Sequence, residues 1–245
     1  MNHLHEWLEW EEKNNDPLPS EPMHSWIKSS ICFAMPAMSV IPRMEQRKEL
    51  MRLPYQNCWI EGNGKITSSS TMDDGIVAMY CRQKTDGFVA IISRRATADG
   101  SKNWSLYGGL GWSNHEGWVY QPELRSSINL ATAYTDWLGN FLTLLNCSNV
   151  SRQEHHPSGQ LQKARTRRGK LPLFSYWTLN LDVTSSERTD DCGGTHASPR
   201  LHLRRGHTRQ HRPGKWCWIN PHAVGNKRLG IVHKDYAMRP LEGTA

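Results

Sequence analysis

No apolar run in the 245-residue sequence approaches the ~20 residues that a helix needs to cross a bilayer, which sets aside a helical membrane protein. The six cysteines (Cys32, Cys58, Cys81, Cys147, Cys192 and Cys217) include no C-x-x-C, so paired-thiolate zinc sites and dithiol redox motifs are excluded. The start of the chain is acidic and lacks the apolar stretch of a secretory signal. A reducing, intracellular setting is therefore expected, in which the cysteines act as small buried apolar residues. The N-x-S sequons at Asn103, Asn146 and Asn149 carry no meaning there. Hydrophobic residues make up only 37% of the chain, so a modest core and long loops are expected. Phenylalanine is scarce at four residues, and eleven tryptophans take its place; most are expected in the core. No internal repeat is present.

Several catalytic patterns are missing as well. Gly108-Gly109-Leu110-Gly111 has neither the Lys-Ser/Thr of a phosphate loop nor the spacing of a dinucleotide fingerprint. It reads as a strand that bends or approaches another backbone. Asp73-Asp74-Gly75 reads as a turn, Glu11-Glu12-Lys13 as part of a short helix, and no Ser–His–Asp or Cys–His set can be assembled. His202, His207 and His211 lack the parity to share one strand face unless a bulge intervenes, and no cysteine pair lies nearby, so neither metal nor cofactor is expected.

What is present is uneven charge. The formal net charge is +7, yet residues 1–22 hold six acids against Lys13 alone. Residues 195–239 hold ten Lys or Arg against Asp235 alone, with half of the twelve histidines. The basic character is local, and it points to a polyanionic partner rather than to a fold.

The pattern along the chain predicts an α+β fold: a single, mainly antiparallel β-rich domain, a long covering helix and a C-terminal β-hairpin module. Residues 1–24 read as an acidic amphipathic helix and a Pro-rich linker. Residues 25–147 read as the β-rich body with its helix. In that body, residues 43–53 look helical up to Pro54, and Asn57–Glu61 is a short strand closed by Gly62-Asn63-Gly64. Ile76–Arg82 and Phe88–Arg94 flank a polar gap ending in Asp86-Gly87, a hairpin signal. Residues 123–147 repeat apolar side chains at three- and four-residue steps, a stripe suited to covering a sheet. Residues 148–170 are polar and basic and read as a mobile loop. Residues 171–245 read as a strand followed by the cationic module.

The module runs from Thr195 to Tyr236. Arg212-Pro213-Gly214-Lys215 has the form of a type II turn, with Pro fixing φ at the second position and Gly accepting positive φ at the third. Leu201–His211 and Trp216–Asn220 are expected to pair across it, with Leu229–Asp235 as a third strand. Alternation then places Leu201, Leu203, Arg205, His207, Arg209 and His211 on one side, unless Gly206 introduces a bulge. Guanidinium groups bind phosphate bidentately and an adjacent indole stacks a base. The expected nucleic-acid contacts are Arg200, Arg204, Arg205, His207, Arg209, Lys215, Trp216 and Trp218. If the module cleaves phosphodiesters, His207 and His211 are the acid–base candidates, with Arg205 and Arg209 holding the phosphate. A charged, solvated hairpin that protects a sheet edge is the alternative without function.

The residues GGTHASPRLHLRRGHTRQHRPGKWCWINPHAVGNKRLGIVHKDY resemble the C-terminal part of a group of uncharacterised accessory proteins encoded by bacteriophages and prophages. The shared pattern is H-x-SPR-x-H-x-RRGH-x-R, a G-K turn, W-[VI], then VGN and G-x-V-x-K-[DE]-Y. PLFSYWTLNL, LPYQNCWIEG and DDGIVAMY are similar to that group too. The resemblance implies an accessory protein of the host bacterial cytoplasm and no particular activity. Three functions are therefore carried forward. They are a nucleic-acid binder, with RNA among the candidates; a protein-binding inhibitor of a host process such as defence; and a small phosphodiesterase or ribonuclease-like enzyme.

Overall fold

Between Asn57 and Lys84 apolar runs at either end of a polar stretch pair with each other, and there the chain builds its two longest strands. The computed structural model describes residues 3–14, 23–36, 44–68, 71–96, 104–121, 128–181 and 199–231. The protein is mixed α and β, with strands predominating. Eight strands form one sheet: β1 (Ile31–Ala34), β2 (Asn57–Ser68), β3 (Thr71–Lys84), β4 (Gly87–Ala96), β5 (Ser105–Ser113), β6 (Gly117–Gln121), β7 (Ser151–His155) and β8 (Tyr176–Asn180). Their order is β6-β5-β4-β3-β2-β1-β8-β7. From β2 to β6 the pairing is antiparallel throughout. β1 runs parallel to both of its neighbours, so the sheet is mixed rather than wholly antiparallel.

The side chains of the two faces fall into different core clusters. Cys58, Ile60, Val77, Met79, Cys81, Phe88 and Ala90 point to one side and pack against Trp137, Leu138, Phe141, Leu142 and Leu145 of helix α3 (Ile128–Leu145). Trp59, Ile76, Ala78 and Tyr80 point to the other side. They meet Leu4, Trp7 and Leu8 of α1 (Leu4–Asn14) and Ile27 of α2 (Met23–Lys28). Every tryptophan is buried or half-buried. Trp104, Trp112 and Trp118 are not one cluster. Trp104 packs edge-on to Trp59 on the α1 side, while Trp112 and Trp118 are cross-strand partners on the α3 side, 5.4 Å between ring centres.

One buried acid joins α1 to the sheet. Glu61 on β2 is 3% exposed. Its carboxyl accepts the Trp59 indole N–H at 2.8 Å and the backbone N–H of His3 at 3.0 Å, and lies 3.1 Å from His3 Nδ1. His3 caps α1: its carbonyl accepts from the backbone N–H groups of Glu6 and Trp7. The acid therefore satisfies, from another element, a donor that a capping-box glutamate usually serves locally.

Several expectations need correction. Of the expected helix, residue 43 lies outside the described residues, and residues 44–53 form one 3₁₀ turn, Lys48–Leu50, because tertiary partners replace helical ones. Asn140 Oδ1 accepts from Met44 N, and Asn146 Nδ2 donates to the carbonyls of Leu50 and Arg52. Gly62-Asn63-Gly64 does not close its strand, and Asp73-Asp74-Gly75 is not a turn; the two segments pair within β2 and β3. The turn between β3 and β4 is Thr85-Asp86. The basic stretch 148–170 is not a loop. It contains β7, paired with β8, and α4 (Gly159–Arg167), capped by Ser158. The Gly-rich stretch lies within β5, where the register shifts opposite Ile92 and Ser93 and a Cβ on Gly111 would meet the Phe88 carbonyl at 2.9 Å.

The expected single domain resolves into two compact units. Among the described residues, one contains residues 3–181 and 208–218, and the other residues 199–207 and 219–231.

Candidate nucleic-acid interface

The second unit is a three-stranded sheet with β9 (Arg200–Arg204) at its centre. β12 (His222–Val224) pairs with it antiparallel and β13 (Asn226–Ile231) parallel. Arg200, His202 and Arg204 share one face of β9, and Leu201 and Leu203 the other. Direct cross-strand partners share a face. His222 lies opposite Arg204, and Asn226 opposite Arg200, so both join the cationic face. Ala223 lies opposite Leu203, and Ile231 opposite Leu201, so both join the apolar face. Arg200 and Arg204 are exposed, while His202 and His222 are half-buried.

The three described histidines of this unit share a local bond. Nδ1 of His202 lies 3.0 Å from the Arg200 carbonyl, Nδ1 of His207 3.1 Å from that of Arg205, and Nδ1 of His222 2.9 Å from that of Asn220. A carbonyl only accepts, so Nδ1 carries the proton and Nε2 is left for an outside partner. Gly225 holds the turn between β12 and β13 at φ +109°, where a Cβ would stand 2.4 Å from the Arg200 carbonyl oxygen. Only glycine fits that approach.

The strand expected from Leu201 to His211 is broken at Arg205-Gly206. Its first half is β9, committed to β12 and β13. Its second half, β10 (His207–Arg212), pairs with β11 (Lys215–Ile219). Pro213-Gly214 joins this pair, with Gly214 at φ +73°. The row from Leu201 to His211 on one face therefore does not form. Arg200, Arg204, Arg205 and His207 belong to one unit, and Arg209, His211, Lys215, Trp216 and Trp218 to the other.

The indoles are not free for bases. Trp218 is 4% exposed and lies in the core with the α3 side chains. Trp216 is half-buried under the Arg47 guanidinium, 5.7 Å from its ring centre. β11 is fastened to the body by its backbone. Ser148 N donates to the Trp216 carbonyl at 2.8 Å, and the Asn149 side chain both donates to and accepts from the Trp218 backbone at 2.8 Å. This leaves Arg209, His211, Arg212 and Lys215 as the exposed edge of the hairpin. His207 and His211 are the first and fifth residues of β10, about 13 Å apart along an extended chain, too far to act as a pair on one phosphate.

Sequence reasoning missed the pairing of His222 with Arg204; reading Gly206 as a strand end rather than a bulge was the available signal. It also missed a polar chain on the sheet edge. His156 Nδ1 lies 3.0 Å from Ser175 Oγ, and His156 Nε2 lies 3.5 Å from Glu154 Oε2. That imidazole is largely open to water, which suits a surface hydrogen-bond chain.

Among the described residues, no three His, Cys, Asp or Glu side chains gather closely enough to hold a metal ion. No helix among them is long and apolar enough to cross a membrane. No disulfide joins the described cysteines; burial pushes the Cys58 and Cys147 thiols up to about 12, and the Cys81 thiol well above its usual value. No family model, curated protein or solved structure matches the chain.

Proposed function

We propose that the chain is a phage-type accessory protein of the host cytoplasm that binds nucleic acid, RNA included, through its cationic C-terminal module. The observation that carries this reading is the shared face of Arg200, His202, Arg204 and His222, with each described imidazole presenting Nε2. Exposed guanidinium groups two residues from a histidine on the same strand suit successive phosphate oxygens. In this reading α3 covers the sheet of the body, and Arg209, Arg212 and Lys215 of the β10–β11 hairpin are further exposed cations, carried by the other unit. Trp216 and Trp218 contribute by holding the hairpin, not by stacking.

Fluorescence anisotropy of labelled RNA, single-stranded DNA and duplex DNA over a salt series tests it. Binding should weaken steeply with salt, by about 0.7–0.9 log unit per phosphate contacted for each tenfold rise. Arg200→Glu with Arg204→Glu should weaken it at least about tenfold at low salt while the circular dichroism spectrum stays unchanged. Unchanged affinity in that variant removes the proposal.

A protein-binding inhibitor of a host process is the second reading. Leu203 at 73% exposure, with Leu229 and Ile231 at about half, favours it, because such side chains suit a partner rather than water. Retention of one host protein at high salt, with no affinity for nucleic acid, would select it. No observation favours the phosphodiesterase reading.

A further inference from the structure

The basic stretch after β7 folds into a helix that buries nothing. α4 has no buried residue, and its segment from Ser158 to Lys170 contains no acid. Nine residues are too few to make a stable helix alone. Specific contacts hold this one. Ser158 Oγ accepts from Leu161 N at the start. At the end, Gly169 takes φ +64°; Lys170 N donates to the Arg165 carbonyl and Gly169 N to the Thr166 carbonyl. This is a Schellman closure. Gln162 exchanges two hydrogen bonds with the Leu173 backbone, and Arg165 reaches the Leu171 carbonyl and Glu9.

The anchoring side chains thus lie on one side, and Lys163, Arg167, Arg168 and Lys170 stay exposed. None of these four is paired with an acid among the described residues. A helix face that is merely solvated mixes both signs of charge; this one carries a single sign. Lys163 and Arg167 stand one turn apart, about 6 Å along the axis, a step suited to neighbouring phosphates. A membrane-surface helix needs an apolar face to insert, and a protein interface needs an apolar or aromatic centre. α4 offers Leu161 alone.

We propose that α4 is a second, independent phosphate-backbone contact for nucleic acid, made by Lys163, Arg167, Arg168 and Lys170. It rests on the nucleic-acid reading above but on different residues in the other compact unit.

The test is anisotropy with labelled 20-nucleotide RNA and 20-base-pair DNA on the full chain. Lys163→Glu with Arg167→Glu and Arg168→Glu should weaken binding at low salt at least about tenfold and lower the salt slope by about two. The Lys163→Gln, Arg167→Gln, Arg168→Gln variant should lose less, in the same direction. Circular dichroism should not change, since no side chain of α4 is buried. Unchanged affinity and slope would overturn the proposal, and so would loss of binding to phosphatidylserine vesicles in place of nucleic acid. The Arg200→Glu, Arg204→Glu variant separates the two readings. If it alone fails to bind, α4 is not a contact and the module is. If only the α4 variant fails, the reverse holds. If both bind normally, both proposals fall.

Discussion

Replacing Glu61 should unfasten α1 from the sheet more than its single position suggests. Glu61→Ala leaves one buried and one partly buried donor without that acceptor, the Trp59 indole N–H and the His3 backbone N–H. Each orphaned donor costs about 1–3 kcal/mol, and the lost methylenes add a small cavity, so about 3–5 kcal/mol is expected in all. Glu61→Gln keeps one acceptor oxygen and should cost about 1–2 kcal/mol. His3→Ala keeps the backbone N–H that Glu61 binds, so it should cost less than about 1 kcal/mol. Guanidinium denaturation followed by tryptophan fluorescence measures all three, since Trp7 and Trp59 sit beside the contact, 5.6 Å between ring centres. A double-mutant cycle of Glu61→Gln with Trp59→Phe isolates the indole bond. Equal losses in Glu61→Ala and His3→Ala, or no coupling in the cycle, would refute the assignment of the energy to backbone capping and the indole.

Three further outcomes are expected. Gly225→Ala should abolish hydrogen-exchange protection in β9, β12 and β13 while the eight-stranded sheet keeps its own, because the new Cβ meets the Arg200 carbonyl; retained protection would contradict this. Asn149→Ala should release β11 at a cost of about 2 kcal/mol and shift tryptophan emission to the red, as two hydrogen bonds to the Trp218 backbone are lost. Cys58 and Cys147 have folded pKa values raised to about 12 from about 9. The folded state therefore holds more protons above pH 9, so this contribution to stability is complete below that pH and declines as pH rises towards 12. Denaturation midpoints should fall over that range, and Cys58→Ala should flatten the fall.

Local pattern was a good guide where the chain pairs with itself nearby. The apolar runs at Asn57–Glu61 and Ile76–Arg82 mark strands and the apolar stripe in residues 123–147 marks the helix, while the division of their side chains between the α3 and α1 sides comes from the packing. It failed where long-range hydrogen bonds decide. Residues 43–53 have helical periodicity, yet Asn140 and Asn146 take their backbone partners. The stretch 148–170 looks unstructured by composition, because its order comes from caps and edge pairing rather than apolar burial. In the module, the density of cations was legible and its geometry was not. Gly206 separates two strands with different partners, and nothing local says that Trp218 fills the core of the body.

The Asn149–Trp218 clasp also orders events in time. The first compact unit is completed by residues 208–218, which follow part of the second unit along the chain. A ribosome therefore releases the long sheet and α3 well before the indole that seals them. Until Trp218 emerges, the core side chains it packs against lack that indole. A chain cut after residue 181 would keep every strand of the large sheet and still lack its last core side chain.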